Sequence, residues 1–250
     1  MMIGLEIRNG LSQPKAVILP MLCALSGMVF PALIFNLFGT HSSAWAVAMP
    51  TDVALAVGAL SLLGKRINPA IRLFLLTLAV ADDFFSLVVI GIFFHNHLNL
   101  TSSVNTLGAA LIGFILPYRK FIIKFLLPAA TFVAIPLYVA INLLTHLDFS
   151  SAGGRISIAL IVARVVGKFF GITAAAWFFT RFTRLKLPKD LSLKEVAGVG
   201  LLAGMGLTVS LVLAKITLAT TQELGEVRIG LFMAAVISGL LGLLWLNFIA

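Results

Sequence analysis

Four ionisable residues lie in the middle of long apolar segments, where an ionised group in a membrane costs from about 3 to more than 10 kcal/mol. They are Asp52, Asp82, Asp83 and Lys168. A membrane protein rarely retains such residues unless they have a partner or a use. Three acids and one base at one predicted depth therefore favour a single site.

Asp82 and Asp83 are adjacent in a segment, Leu73 to Ile92, that is predicted to be one continuous helix, which argues against a helix-capping role. Neighbouring helix positions point about 100° apart, so one carboxylate can face a cation while the other faces a water-filled cavity. A hard cation such as Na⁺ prefers anionic and carbonyl oxygens. A carboxylate shielded from water also holds a proton more readily than one in water. The pair suits competition between Na⁺ and H⁺, and a purely structural pair buried against a cation is the alternative.

Helix-breaking residues occur at the same depth in two other apolar segments. One contains Pro50-Thr51-Asp52 and the other contains Gly204-Met205-Gly206-Leu207-Thr208. Proline removes a helical hydrogen bond and glycine favours unwinding. Interrupted helices in corresponding places of two halves mark the binding site of inverted-repeat transporters. Opposed helix ends need charge compensation, for which Asp52 suits the positive ends and Lys168 the negative ends. For the glycines alone, close helix packing is the alternative.

The elements that must position these residues are transmembrane helices. The chain is 60% apolar and 11% charged, with a mean hydropathy of +1.11, outside the range of soluble domains. Segments of about 20 apolar residues can cross a bilayer. Eight are predicted, at 15–38, 44–63, 71–94, 102–117, 121–144, 156–180, 196–219 and 227–249.

The predicted fold is an all-α polytopic membrane protein built as an inverted-repeat transporter. Residues 1–250 form one transporter domain, in which the second and seventh spans are discontinuous and cross at the midplane. Within this domain, 15–94 is the first three-helix repeat, 102–144 provides scaffold helices, and 156–249 is the second three-helix repeat.

The basic residues predict the orientation, because positive charge in short loops stays on the cytoplasmic side. Most of the 18 lysines and arginines fall in alternate loops, which places both termini in the cytoplasm of a multi-pass protein of the bacterial inner membrane. The same distribution accounts for the net charge of +9 without a nucleic-acid partner. Arg164 and Lys215 are predicted to snorkel to the membrane surface, with a role in the site as the alternative.

Four segments resemble, in order, motifs of the NhaA family of sodium/proton antiporters, whose members have inverted repeats of this kind. They are Pro50 to Gly58, Leu78 to Asp83, Gly167 to Ile172, and Gly204 to Ser210. The resemblance implies that Asp83 is the principal ligand for Na⁺ (or Li⁺) and H⁺, with Asp82 as a second ligand that alternates with Lys168. It also implies that Thr51 contributes from the unwound helix and that Asp52 balances helix ends.

The resemblance extends from Gly4 to the last span, with two apparent losses. Family members have twelve spans. The sequence that would supply the first helix and most of the second is absent here, and two consecutive helices are absent before the segment Ser103 to Pro117. The remaining triplets correspond to the ion-carrying core. The chain is therefore predicted to be a shortened antiporter for sodium and pH homeostasis, and a non-transporting remnant or accessory subunit is the alternative.

Two other classes fit the residues less well. An intramembrane aspartyl protease needs aspartates in Tyr-Asp and Gly-x-Gly-Asp contexts, and neither context occurs. A Na⁺-coupled carrier of organic anions is disfavoured by the paired acids and the scarcity of polar residues at the midplane. The expectation is therefore a transporter and not an enzyme, without a resident cofactor. Its expected partners are membrane lipid, Na⁺ and H⁺, and a second copy of the chain in a homodimer is a further candidate.

Overall fold

The computed structural model describes residues 14–39, 43–64, 68–93, 137, 140–141, 149–183, 185–188, 191–218 and 220–249. Within these residues the structure is helical and contains no strand. Its α-helices are α1 (Pro14–Leu37), α2 (Val53–Ser61), α3 (Pro69–Phe93), α4 (Arg155–Val162), α5 (Lys168–Phe182), α6 (Leu193–Leu202), α7 (Thr208–Thr217) and α8 (Thr221–Ile249). Two 3₁₀ helices, Ser43–Ala48 and Phe149–Gly153, and a π-helical segment, Ala163–Gly167, complete the set.

Five helical stretches in this part of the chain are long and apolar enough to cross a membrane. They are Val17–Leu37, Ser43–Ser61, Pro69–Phe93, Arg155–Phe182 and Thr221–Ile249. They confirm the first, second, third, sixth and eighth predicted spans and the polytopic, all-helical class. The predicted spans 102–117 and 121–144 lie outside the described residues, apart from 137 and 140–141.

The long helices approach one another closely through small residues. α1 packs along α5 and α3, while α8 packs along α4 and α6. A side chain added at Gly167 would lie 2.8 Å from the Cα of Pro31, and one added at Gly171 would lie 2.8 Å from the carbonyl oxygen of Ser26. Gly167 and Gly171, spaced four apart, therefore bring the backbone of the π-helical segment and of α5 against that of α1.

The second and seventh predicted spans are both interrupted. In the second, the 3₁₀ helix Ser43–Ala48 and α2 are joined by 49–52. In the seventh, α6 and α7 are joined by 203–207. The two connections touch, since the Asp52 N–H donates to the carbonyl oxygen of Met205 at 2.9 Å.

Two apolar cores lie on either side of these breaks. One core includes Ala56 and Leu60 from α2 together with Leu202 at the end of α6. The other includes Val47 from the 3₁₀ helix together with Leu211 from α7. Each interrupted helix therefore contributes one half to each core. Its break falls at the boundary between the cores, where the buried polar residues collect.

Candidate ion-binding site

A buried ion pair joins the third and sixth predicted spans. Asp82 lies mid-way along α3 and is completely buried, and Lys168 begins α5 with 1% of its surface exposed. The Lys168 Nζ lies 3.1 Å from the Asp82 Oδ2. Neither charge is solvated, so each depends on the other and on nearby hydrogen bonds for its stability.

Thr51 connects this ion pair to the first helix break. Its hydroxyl oxygen accepts a hydrogen bond from the Lys168 Nζ at 2.8 Å, and its backbone N–H donates to the Asp82 Oδ2. That N–H can point to Asp82 because Thr51 lies in the connection 49–52 and not inside a helix. The break that Pro50 produces therefore supplies the ion pair with one donor and one acceptor.

Asp83 occupies the next position of α3 and is half-buried, whereas Asp82 is fully buried. The two carboxylates thus differ in their access to solvent, in the way that adjacent helix positions allow. The charges of Asp82, Asp83 and Arg164 all act on the Lys168 ammonium. The Oδ1 atom of Asp82 is buried and accepts no hydrogen bond from the residues that the structure describes, so this carboxylate oxygen can still coordinate another group.

Asp52 belongs to the first break, and its hydrogen bonds reach the second break and the start of α7 rather than the ion pair. Its Oδ2 accepts hydrogen bonds from the hydroxyl of Thr208 at 2.8 Å and from the Thr208 N–H at 3.3 Å. Thr208 is the first residue of α7. The carboxylate therefore lies at the positive end of the α7 dipole, where a negative charge is stabilising.

Arg164 corrects an expectation from the sequence. It was predicted to snorkel to the membrane surface, but it is completely buried in the π-helical segment. Its guanidinium donates to the carbonyl oxygens of Pro50 and Gly206, and to the Ser210 hydroxyl at 3.1 Å. The snorkelling prediction was wrong because the guanidinium finds hydrogen-bond acceptors inside the protein. These acceptors come within its reach only where the two breaks meet, so the side chain does not need to extend to the solvent. Lys215, the other residue predicted to snorkel, is exposed.

One signal in the sequence could have identified Arg164. It precedes Lys168 by four residues, so both basic side chains lie on the same side of one helix. Its hydrogen bonds reach both breaks, whereas the hydrogen bonds of Lys168 reach Thr51 and Asp82.

The two glycines of the second break are needed for close approach. A side chain at Gly206 would collide with the Arg164 guanidinium and the Pro50 carbonyl oxygen, and one at Gly204 would collide with the Ser238 hydroxyl. The Ser238 hydroxyl donates to the Leu201 carbonyl oxygen at the end of α6. Small residues thus let other elements reach the carbonyls that the interrupted helix exposes.

These contacts join Thr51, Asp52, Asp82, Lys168, Gly206 and Thr208 into one network where the two breaks meet, and Asp83 follows Asp82 on α3. Carboxylate, hydroxyl and carbonyl oxygens, which hard cations prefer, occur there together. Within the described residues, no group of three or more His, Cys, Asp or Glu could hold a metal ion.

A family model described as "Na+/H+ antiporter 1" matches residues 1–126 and 106–246 of this chain. The chain belongs to this antiporter family. The resemblance found in the four sequence motifs is thereby confirmed. Together with the apolar helices, membership makes the chain a multi-pass membrane protein of a family of bacterial transporters.

Relatives in this antiporter family match the chain along almost its whole length. A Na⁺/H⁺ antiporter NhaA 1 from Magnetococcus marinus is 29% identical, over 99% of this chain and 80% of the relative. A Na⁺/H⁺ antiporter NhaA 2 from Saccharophagus degradans is 27% identical, over 99% of this chain and 81% of the relative. The alignment with the Magnetococcus marinus antiporter covers 318 positions, more than the 250 residues of this chain, so that relative contains residues inside the matched region that this chain lacks.

Proposed function

We propose that this chain exchanges Na⁺ (or Li⁺) for H⁺ at a carboxylate site formed by Asp82, Asp83 and Thr51. The observation that carries the proposal is the buried Lys168–Asp82 ion pair, held by Thr51 at the place where the two interrupted helices meet. Family membership supports the same activity.

The contacts suggest how one site serves two ions. Asp82 Oδ2 is occupied by Lys168 and the Thr51 N–H, while Asp83 is half-buried on the same helix. A sodium ion that enters beside Asp83 brings a positive charge that can replace the Lys168 ammonium at Asp82. A carboxylate that is occupied either by Na⁺ or by a proton must release one to bind the other. Competition between the two ions then couples their movements.

Transport also requires that the site face each side of the membrane in turn. We place the site at the bilayer midplane, at the interface of two inverted repeats. In each triplet of spans the middle member is the interrupted one: Ser43–Ser61 in the first triplet, and α6 with α7 in the second. The hydrogen bond between Asp52 and Met205 supports a crossing of the two middle members. Movement of one bundle around such a crossing is the usual basis of alternating access in inverted-repeat transporters.

The cellular setting is part of the same proposal. The distribution of basic residues supports an inner-membrane location with both termini in the cytoplasm. We also propose a homodimer, in which a second copy substitutes for residues that the relatives have inside the matched region and this chain lacks.

The proposal is tested with purified protein in proteoliposomes by substituting Asp83→Asn. The amide keeps the shape of the side chain but neither titrates nor offers a full charge to Na⁺, so Na⁺-driven proton movement should be lost. Glu223→Gln is the matched control, because Glu223 lies in the first turn of α8 and its carboxylate accepts a hydrogen bond from the Thr220 hydroxyl, away from the site. If Asp83→Asn exchanged Na⁺ for H⁺ at the wild-type rate, Asp83 would not belong to the exchange site.

A non-transporting remnant or accessory subunit is the second candidate, favoured by the residues that the chain lacks within the matched region. The two candidates differ in one respect. A remnant that keeps the site should release protons when Na⁺ binds but should show no flux across a membrane. An antiporter should show both.

A further inference from the structure

Arg164 is the largest fully buried side chain in the described part of the protein. The exchange chemistry proposed above does not use it. It lies in the π-helical segment between α4 and α5. A fully buried guanidinium is rarely kept without a specific task.

The acceptors of Arg164 indicate what that task is. Pro50 follows the 3₁₀ helix Ser43–Ala48, and Gly206 follows α6, so each of the two carbonyls lies near the C-terminal end of a half-helix. Carbonyls at such ends lack intrahelical donors and carry partial negative charge. A planar guanidinium can donate to two acceptors at once, whereas an ammonium acts as a point charge.

We propose that Arg164 neutralises the carbonyl ends of both interrupted helices, holds them together, and thereby positions the ion site. Arg164 is linked to the ion site through the single peptide bond that joins Pro50 to Thr51. Arg164 holds the Pro50 carbonyl, and the next residue, Thr51, contacts both Asp82 and Lys168. A shift of Pro50 therefore displaces the groups around Asp82.

Under this proposal Lys168 and Arg164 have different roles, Lys168 at the ion-binding carboxylate and Arg164 at the carbonyl ends of the helices. Lys168 donates to Asp82 and to Thr51 of the first break, whereas Arg164 donates to a carbonyl oxygen of each break and to the Ser210 hydroxyl. An arriving ion can therefore displace Lys168 from Asp82 while the carbonyl ends remain neutralised. This inference rests on the proposed Na⁺/H⁺ exchange only where it is tested by transport. The test by hydrogen–deuterium exchange does not depend on transport.

The structural test is hydrogen–deuterium exchange on purified Arg164→Lys protein. The variant keeps the positive charge but cannot bridge two carbonyls in the guanidinium geometry. Amides in 43–61 and in 193–217 should exchange about tenfold faster or more, the size expected for losing one charge-assisted hydrogen bond. Amides in α8 should be unaffected. Arg181→Lys, the same substitution at an exposed position of α5, is the matched control and should match the wild type in all segments. Unchanged exchange in both interrupted helices of Arg164→Lys would overturn the proposal.

The functional test separates positioning from general stabilisation. In proteoliposomes, Arg164→Lys should raise the half-saturating Na⁺ concentration about tenfold while the maximal rate changes less, because the charge remains and only the geometry of Thr51 is altered. A lower maximal rate with an unchanged half-saturating concentration would reduce Arg164 to a structural residue. If the wild type itself shows no Na⁺-dependent exchange, the proposed function fails, and deuterium exchange still decides whether Arg164 joins the breaks.

A milder variant keeps the proposal testable if Arg164→Lys does not fold. Ser210→Ala removes only the hydroxyl that lies 3.1 Å from the guanidinium and leaves the two carbonyl contacts in place. It should raise deuterium exchange in 43–61 and 193–217 in the same direction but by a smaller factor. No change in either segment would count against the proposal.

Discussion

The two interrupted helices both bring polar groups into the buried site, but they contribute different kinds of group. The first break, at Pro50, contributes side chains: Thr51 to the ion pair and Asp52 to the start of α7. The second break contributes backbone, with the Met205 carbonyl accepting from Asp52 and the Gly206 carbonyl accepting from Arg164. Both breaks therefore supply a carbonyl to Arg164, but the first adds polar side chains, whereas the second adds the space that other groups need to reach its carbonyls.

This difference explains the residue types at each break. Proline unwinds the first helix without requiring a small residue, so polar residues can follow it directly. The second break must admit Arg164 and Ser238, and a side chain at either glycine would collide with one of them. The first break should therefore be sensitive to the loss of its polar contacts, and the second should be sensitive to an increase in side-chain size.

The largest effect is expected from Lys168→Ala, which tests the first break through its partner. It leaves the Asp82 carboxylate buried without its cation, and breaking a buried ion pair typically costs about 3–5 kcal/mol. The melting temperature in detergent should fall sharply. The double variant with Asp82→Ala removes both charges and should recover part of the loss. An unchanged melting temperature in Lys168→Ala would mean that the pair does not exist in the membrane protein.

A smaller effect is expected from Gly206→Ala, which tests the demand for space at the second break. The new methyl group would collide with Arg164 and the Pro50 carbonyl, and such overpacking costs about 1–3 kcal/mol. Gly58→Ala in α2 is the matched control, since a side chain there meets nothing within 4 Å. That control should be neutral, or stabilising by about 0.5–1 kcal/mol in a helix interior. Equal melting temperatures for the two variants would contradict the difference between the breaks.

The smallest effect is expected from Asp52→Asn, which tests charge at the point where the two breaks meet. The amide oxygen can still accept from Thr208, so only the interaction of the charge with the α7 dipole is lost, about 0.3–1 kcal/mol. Asp52→Ala should cost more, because the hydrogen bonds are lost as well. Thermal unfolding of the three proteins in one detergent distinguishes these cases. A melting temperature equal to that of the wild type in Asp52→Asn would show that the charge has no role.

Much of this arrangement could be predicted from the sequence, because the relevant signals are local. Proline and glycine disrupt helices wherever they fall, so Pro50 and the pair Gly204 and Gly206 locate the breaks. Hydropathy identifies the apolar spans, and the cost of a buried charge singles out Asp82 and Lys168. None of these inferences needs to know which helix packs against which.

The role of Arg164 could not be predicted in the same way. Its partners lie 114 and 42 residues away in the chain, and they become acceptors only when two half-helices end beside each other. The periodicity and hydropathy of a sequence do not show that two half-helices end beside each other. A lone arginine in an apolar span is therefore assigned to the membrane surface by default, and the structure reverses that assignment.

The central claim is that the Asp82 and Asp83 pair holds Na⁺ and H⁺ in competition. The most direct measurement is proton release from purified, weakly buffered protein on addition of NaCl, with choline chloride as the ionic-strength control. A carboxylate that exchanges a proton for Na⁺ must release that proton whether or not the bundles move. The account predicts Na⁺-specific release from the wild type and none from Asp83→Asn. Release of the same size in Asp83→Asn, or no release from the wild type between about pH 6 and 9, would contradict it.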